Sequence, residues 1–188
     1  GQALYSISVA LQAVESFVEE TELLAYIHDV REELEKVMND VKTYAYQLRP
    51  QSLDNLGLVA AVQDLVSSLN KSNPNITFTF TNYVKETLPS SININLYRVI
   101  QEATLNVIKY AQATETDIHL KAKNDKIILT IKDNGIGFNV KKVEKYGLGL
   151  KHMQERINQI GGHFRITSVK KKGTTIVATI TKGGTCDD

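Results

Sequence analysis

The sequence predicts an α+β protein: a helical hairpin followed by an α/β sandwich with its helices on one sheet face. Three observations carry this. Apolar residues in the first fifty positions recur at alternating spacings of three and four. Beyond Pro50 that period gives way to strand-like alternation interleaved with helical stretches. One of those strands runs directly into a glycine pair, and a second glycine pair opens a helix. A length of 188 residues, 42% hydrophobic and 23% charged, suits a globular chain with one ordinary domain and a smaller element.

The first helix carries Leu4, Ile7, Leu11, Val14 and Val18. After the acidic break at Glu19-Glu20-Thr21-Glu22, a second carries Leu23, Ile27, Val30, Leu34, Val37, Val41, Tyr44 and Leu48. Such spacing lines one side of each helix with an apolar seam. Pro50 ends the second helix, because proline has no N–H to continue the ladder. Two helices joined by a short turn bury both seams poorly alone, so residues 1–50 are expected to form a homodimer that closes a four-helix bundle. The competing arrangement packs the hairpin onto the chain's own second domain, residues 51–188.

That domain follows a linker read at 49–57. Residues 56–70 have a helical period. Residues 76–83 alternate as a strand, with Ile76, Phe78 and Phe80 on one side and Thr77, Thr79 and Thr81 on the other. A long helix is expected over 88–111, capped by Ser90 or Ser91, with Val99, Ala103, Val107 and Tyr110 towards the core. Residues 116–133 read as a β-hairpin turning at Asn124-Asp125, 147–160 as a helix stopped by Gly161-Gly162, and 163–181 as a second hairpin.

A net charge of +1 gives no surface for a polyanion, so nucleic acid is excluded as an expected partner. The single cysteine, Cys186, lies in the C-terminal tail and cannot form an internal disulfide, which suits the reducing cytoplasm. No run reaches the ~18 apolar residues of a membrane span. Membrane attachment is expected only through segments outside this sequence, since it opens inside an amphipathic pattern.

Four stretches carry chemistry. In Ile131–Phe138 a strand ends at Asp133 and is followed by Gly135 and Gly137, which let backbone approach a ligand closely. The carboxylate can accept a hydrogen bond from an exocyclic amine such as adenine N6; an ordinary Asp-Asn-Gly turn has the same letters. Gly147 and Gly149 immediately precede a helix, where free amides suit phosphate. Glu102, Asn106 and Lys109 fall at i, i+4 and i+7 on one helical stripe. Asn106 offers a neutral oxygen to Mg²⁺, Lys109 a charge to phosphate, and Glu102 a carboxylate to orient water or take a proton. A solvated helix face has the same pattern. Thr174 and Thr175, after Gly173, start a strand where a hydroxyl can reach the Asp133 site, although β-branched residues also simply favour strands.

In this order the four stretches resemble the N box, the two glycine boxes and the final Gly-Thr strand of the Bergerat-type ATPase domain found in histidine kinases, Hsp90, gyrase and MutL. The stretches at 48–65 (LRPQSLDNLGLVAAVQDL) and 98–114 (RVIQEATLNVIKYAQAT) closely resemble the nitrate-sensor-like subfamily of two-component sensor histidine kinases. The short interval between the glycine boxes fits the abbreviated lid of that subfamily. The resemblance covers essentially the whole chain. It implies an ATP-dependent protein-histidine kinase that uses ATP and Mg²⁺. Asp133 would bind the adenine amine, Asn106 would ligate Mg²⁺, Glu102 would be the catalytic carboxylate and Lys109 would face the phosphates. Gly135, Gly137, Gly147 and Gly149 would shape the pocket and lid, and Thr174 would belong to the cofactor-binding set. Tyr110 stands where the subfamily usually has histidine and receives no catalytic role.

The resemblance also implies a phosphoacceptor motif of the form H-D-x-x-G-Q, whose end matches Gly1-Gln2. The acceptor histidine is then expected four positions before Gly1, and this chain is expected to bind ATP without labelling itself. His28-Asp29 repeats only the first two letters and lies near the start of the second helix. Gln2 occupies the position linked to phosphatase activity. The implied partner is the receiver domain of a response regulator, and the implied location is the cytoplasm. Two other readings stand beside this one: a degenerate, non-catalytic ATP-binding dimeric scaffold that sequesters a regulator, and a serine kinase of the anti-sigma type. The heptad hairpin ending in Gln47-Leu48-Arg49-Pro50 argues against the latter.

Overall fold

The computed structural model describes residues 2–18, 21–47, 51–140 and 148–181, with the side chains of residues 2, 21, 22, 39–47 and 51 outside the description. The chain divides into two compact units, residues 1–49 and 50–188.

In the first unit, α1 (Gln2–Glu15) and α2 (Thr21–Gln47) contact one another as a hairpin. The chain leaves α1 through a turn in which the Ser16 and Phe17 N–H groups donate to Ala13 and Val14. Arg31 Nη1 donates to Glu15 Oε2 at 2.6 Å and pins the two helices. Ile27 is buried. The seam residues Ile7, Val14, Leu23, Val30 and Val37 remain between 38% and 49% exposed. A single hairpin therefore leaves much of its apolar stripe in water.

The second unit begins with α3 (Gln51–Ser72). The linker expected up to residue 57 is corrected here: its described part is helical, and Leu53 is buried at 5% exposure. Gly57 sits at φ 81°, ψ −176°, a region that only glycine occupies readily, and it kinks α3 between two helical stretches. The order continues β1 (Thr77–Asn82), α4 (Ser90–Asn106), a π-helical turn (Val107–Ala111), β2 (Glu115–Lys123), β3 (Lys126–Asp133), α5 (Leu148–Gln159), β4 (His163–Val169) and β5 (Gly173–Thr181).

These strands form one sheet in the order β1-β2-β3-β5-β4. All neighbours are antiparallel except β1 and β2, which run parallel. That pair departs from the expected antiparallel pattern because α4 carries the chain back to the starting end of the sheet. Asn124 and Asp125 turn the β2–β3 hairpin with φ 47° and 57°, the two consecutive positive φ values of a type I′ turn. On β2, Ile118 and Leu120 face inward, as do Ile127, Leu129 and Ile131 on β3 and Ile176, Ala178 and Ile180 on β5. They meet Leu96, Val99 and Ile100 of α4 and Met153 and Ile157 of α5, all at most 6% exposed. Each of the leucine, isoleucine, valine and methionine side chains among them contributes roughly 1.5–3 kcal/mol on burial. Asn70 of α3 covers the free edge of β1: its side-chain oxygen accepts the Phe78 N–H and its amide donates to the Phe78 carbonyl.

Two helix ends differ from expectation. The α4 N-cap is Pro89, not Ser90 or Ser91, which already lie in the first turn. The Pro89 carbonyl accepts the Asn93 N–H, and no side chain caps the helix. At the other end, the helix read to Ala111 changes at Val107 to i→i+5 closure and stops at left-handed Gln112. Gly161, at φ 65°, ends the helix region after α5 as expected, with the Gly162 N–H donating to the Ile157 carbonyl at 2.9 Å. No described helix is long and apolar enough to cross a membrane.

Candidate functional site

A cavity of about 530 Å³ opens between the second half of α4, the end of β3, the start of β5 and the start of α5. This is within the range of small-ligand pockets. Glu102, Asn106, Asp133, Gly137, Gly149 and Thr174 line it, so six of the predicted residues converge from four parts of the chain.

Asp133 ends β3 and is 6% exposed. Its Oδ1 accepts two backbone N–H groups, from Gly135 at 2.8 Å and from Thr174 at 3.2 Å. Its Oδ2 has no hydrogen-bond partner among the described residues, and the side chain lies in the cavity wall. The carboxylate is thus fixed in orientation, with one oxygen left for a donor. Ile131, Ile136, Phe138, Ile166 and Ile176 give the same wall an apolar surface suited to a flat ring.

The two glycines after Asp133 serve the protein's own backbone first. A Cβ on Gly135 would collide with the Ala111 carbonyl, and one on Gly137 with the carbonyls of Val169 and Gly173. Gly137, at φ 57°, also needs the left-handed region. The loop they form is sewn down by the Ile136 N–H to the Ala111 carbonyl (2.8 Å) and the Lys171 N–H to the Ile136 carbonyl (2.6 Å). Gly135 itself does not line the cavity. Asn134 adds a clamp that the sequence reading missed: its side-chain oxygen accepts the N–H groups of Thr114 and Glu115. An Asn-Gly pair signals a turn, and nothing local says which distant amides the Asn side chain will take.

Glu102 and Asn106 lie one turn apart on α4 and both face the cavity. The Glu102 carboxylate packs against Gly149, where a Cβ would overlap Oε1. Gly149 lies in the first turn of α5, whose N–H groups have no intrahelical partner. The third member of the predicted stripe departs. Lys109 is exposed and is not among the cavity-lining residues. Tyr110, expected on the core side, is 69% exposed and does line the cavity. The wide π turn advances fewer degrees per residue than an α turn, so it carries Lys109 off the Glu102 stripe and brings Tyr110 onto it. Gly147 and the Gln2 side chain lie outside the described residues.

Glu102 and Asp133 make the described wall acidic. No cluster of three or more His, Cys, Asp or Glu that could hold a metal occurs among the described residues. A Mg²⁺ ion held by one or two protein oxygens and completed by ligand phosphates needs no such cluster. Asn106 and Glu102 fit that donor set, and Asp133 Oδ2 with the apolar wall fits an aminopurine.

Residues 92–183 match the family described as histidine kinase-, DNA gyrase B- and HSP90-like ATPase. The chain is 33% identical over 180 residues to the sensor protein VraS of Staphylococcus saprophyticus, covering 93% of this chain and 50% of that protein. It is 32% identical over 160 residues to the signal transduction histidine-protein kinase/phosphatase DegS of Brevibacillus brevis, covering 85% of this chain and 41% of that protein. The chain thus spans about half the length of these relatives, or less. Its fold is similar to the histidine kinase domain of the blue-light activated kinase of Erythrobacter litoralis EL346, with a TM-score of 0.62, 14% identity, and 97% and 95% of the two chains covered.

Proposed function

Through residues 92–183 the chain belongs to the histidine kinase-, DNA gyrase B- and HSP90-like ATPase family, and we propose that it is the ATP-binding and dimerising part of a sensor histidine kinase. The observation that carries the reading is the held carboxylate of Asp133, with Oδ1 saturated by two backbone amides and Oδ2 left to the cavity. When bound, Mg²⁺-ATP supplies the transferable γ-phosphoryl group and the divalent charge that offsets it. Asp133 accepts from the exocyclic amine, and the Ile131–Ile176 wall excludes water from the base. Asn106 contributes a neutral oxygen to the metal. Glu102 orients the attacking group or takes its proton. The first-turn amides of α5 favour negative charge beside Gly149.

The phosphoryl acceptor in this reading is a histidine four positions before Gly1, and the phosphoryl group then passes to an aspartate of a response-regulator receiver domain. Gln2 orients the water that hydrolyses the regulator's aspartyl phosphate, releasing inorganic phosphate; the printed name of DegS, a kinase/phosphatase, supports that pairing. The half-exposed seam of α1 and α2 supports a homodimer. The test is calorimetric titration with Mg²⁺-ATP, followed by incubation with γ-labelled ATP. This chain should bind and stay unlabelled, while a form extended upstream through the histidine should label there. Absence of ATP binding would remove the reading, and stable label on this chain would remove the acceptor assignment.

A further inference from the structure

Asn134 and Gly135 are the only Asn-Gly pair in the sequence, and they stand between Asp133 and the rest of the glycine loop. Such a pair carries its own chemistry. The Gly135 amide nitrogen can close a five-membered ring on Asn134 Cγ, because glycine has no Cβ to shield it and allows the backbone angles that the ring needs. Closure forms the N–Cγ bond and breaks Cγ–Nδ2. The leaving amide group takes the Gly135 amide proton and departs as ammonia. Water then opens the succinimide at either carbonyl and leaves isoaspartate or aspartate.

Both reacting groups are tied down. Asn134 Oδ1 accepts the N–H groups of Thr114 at 2.9 Å and Glu115 at 3.1 Å, and its Nδ2 donates to Thr114 Oγ1 at 2.9 Å. These bonds hold the carboxamide against the start of β2. The Gly135 N–H donates to Asp133 Oδ1 at 2.8 Å, and a carboxylate beside that amide disfavours loss of its proton. Asn134 is exposed, so water reaches the pair once the bonds open.

We propose that Asn134 is a self-modification site, and that its hydrogen-bond clamp is what keeps the loop after Asp133 intact. When the clamp opens the ring closes, and the isoaspartate product adds one carbon to the main chain between Asp133 and Gly135. The loop has no slack to absorb it: a Cβ on Gly135 or Gly137 would already meet backbone carbonyls. The Gly135 N–H then leaves Asp133 Oδ1, and the carboxylate loses its orientation. The aspartate product keeps the chain length and an oxygen for the Thr114 and Glu115 amides. The consequence for ATP rests on the nucleotide-binding reading above, whereas the ring closure does not.

The test is incubation of the whole chain at mildly alkaline pH, folded and in urea, with peptide mass mapping of residue 134 and its isoaspartate content. Conversion in the folded wild type should be at least about 100-fold slower than in urea, the cost of opening two or more such bonds. Thr114→Val removes the acceptor of Nδ2 and should raise the folded rate about fivefold, the size of one hydrogen bond, with the urea rate unchanged. Thr114→Ser keeps the hydroxyl and should keep the wild-type rate. Chromatographically separated isoaspartate protein should bind Mg²⁺-ATP at least about tenfold more weakly than fresh protein, as for one lost charged hydrogen bond, while Asn134→Asp stays within a few-fold. Equal rates in the folded and urea-unfolded wild type overturn the proposal, as does an unchanged folded rate in Thr114→Val. No conversion in urea overturns the chemistry, and isoaspartate protein with fresh-protein affinity overturns the functional half. Wild-type protein that binds no ATP removes the nucleotide reading alone, because the conversion rates still decide the clamp.

Discussion

The backbone N–H of Thr174 donates to Oδ1 of Asp133 at 3.2 Å across 41 positions of sequence. The same oxygen takes the Gly135 N–H. One carboxylate therefore joins the loop after β3 to the start of β5, and only Oδ2 remains to meet a ligand. Structural and ligand-binding duties are split between its two oxygens.

Asp133→Asn should separate those duties. The asparagine oxygen can keep both backbone bonds, so the melting temperature should stay within a few degrees. The cavity-facing atom becomes an NH₂ donor that opposes the exocyclic amine of adenine. A charged hydrogen bond worth about 1.5–3 kcal/mol is lost and a donor–donor contact is added, so ATP affinity should fall at least about 100-fold. Calorimetry with Mg²⁺-ATP and a thermal melt decide it. Near-normal affinity would take Asp133 out of the adenine role.

Gly149→Ala tests the Glu102 contact. A Cβ at that position overlaps Glu102 Oε1, and the long glutamate side chain can swing aside at little cost. Alanine in a helix is favoured over glycine by about 0.5–1 kcal/mol, so the melt should hold or rise. ATP affinity should change only a few-fold, because Asp133 is untouched. Phosphoryl transfer in a form extended through the acceptor histidine should fall by about 10²-fold or more, the scale of general acid–base and orientation effects. Transfer at the wild-type rate would show that Glu102 need not stand where it does.

The π turn predicts an exchange of roles between neighbours. Lys109→Met should leave ATP affinity within about twofold, since the side chain is exposed and outside the cavity wall. Tyr110→Ala removes part of that wall and should weaken ATP about five- to tenfold, as expected for about 1–1.4 kcal/mol of lost contact. Paired titrations check both. A large loss in Lys109→Met with none in Tyr110→Ala would restore the helical stripe as the better guide.

That exchange also marks where sequence reasoning stopped. Asn124-Asp125 was legible because a two-residue turn between alternating strands demands two positive φ values that Asn and Asp tolerate. Glu102 and Asn106 were legible because i and i+4 share a face while the helix stays α. Val107–Ala111 contains no proline or glycine to announce a change of period, so the stripe was carried one turn too far. The described part of the supposed linker was misread for the opposite reason. Gly57 looked like a loop residue, yet its φ of 81° kinks a helix that is already anchored by Leu53. The bond from Thr174 to Asp133 depends on β3 and β5 being neighbours, and β4 intervenes between β3 and β5 along the chain. Helical and strand periods report which face is buried; they carry no information on sheet order.

The hairpin makes the last prediction. Val14 and Val30 are 49% and 38% exposed in one chain, on the apolar stripes of α1 and α2. If a second hairpin covers them, a carboxylate there must be buried without a partner, at a cost of several kcal/mol per site. The double variant Val14→Glu/Val30→Glu should then shift sedimentation from the mass of two chains to that of one. On a lone hairpin the same carboxylates stay solvated and cost little. ATP affinity should remain within about twofold, because Asp133, Asn106 and Thr174 all lie in the second compact unit. Wild-type protein that sediments as one chain at tens of micromolar would remove the four-helix bundle. A double variant that stays dimeric would move the interface elsewhere.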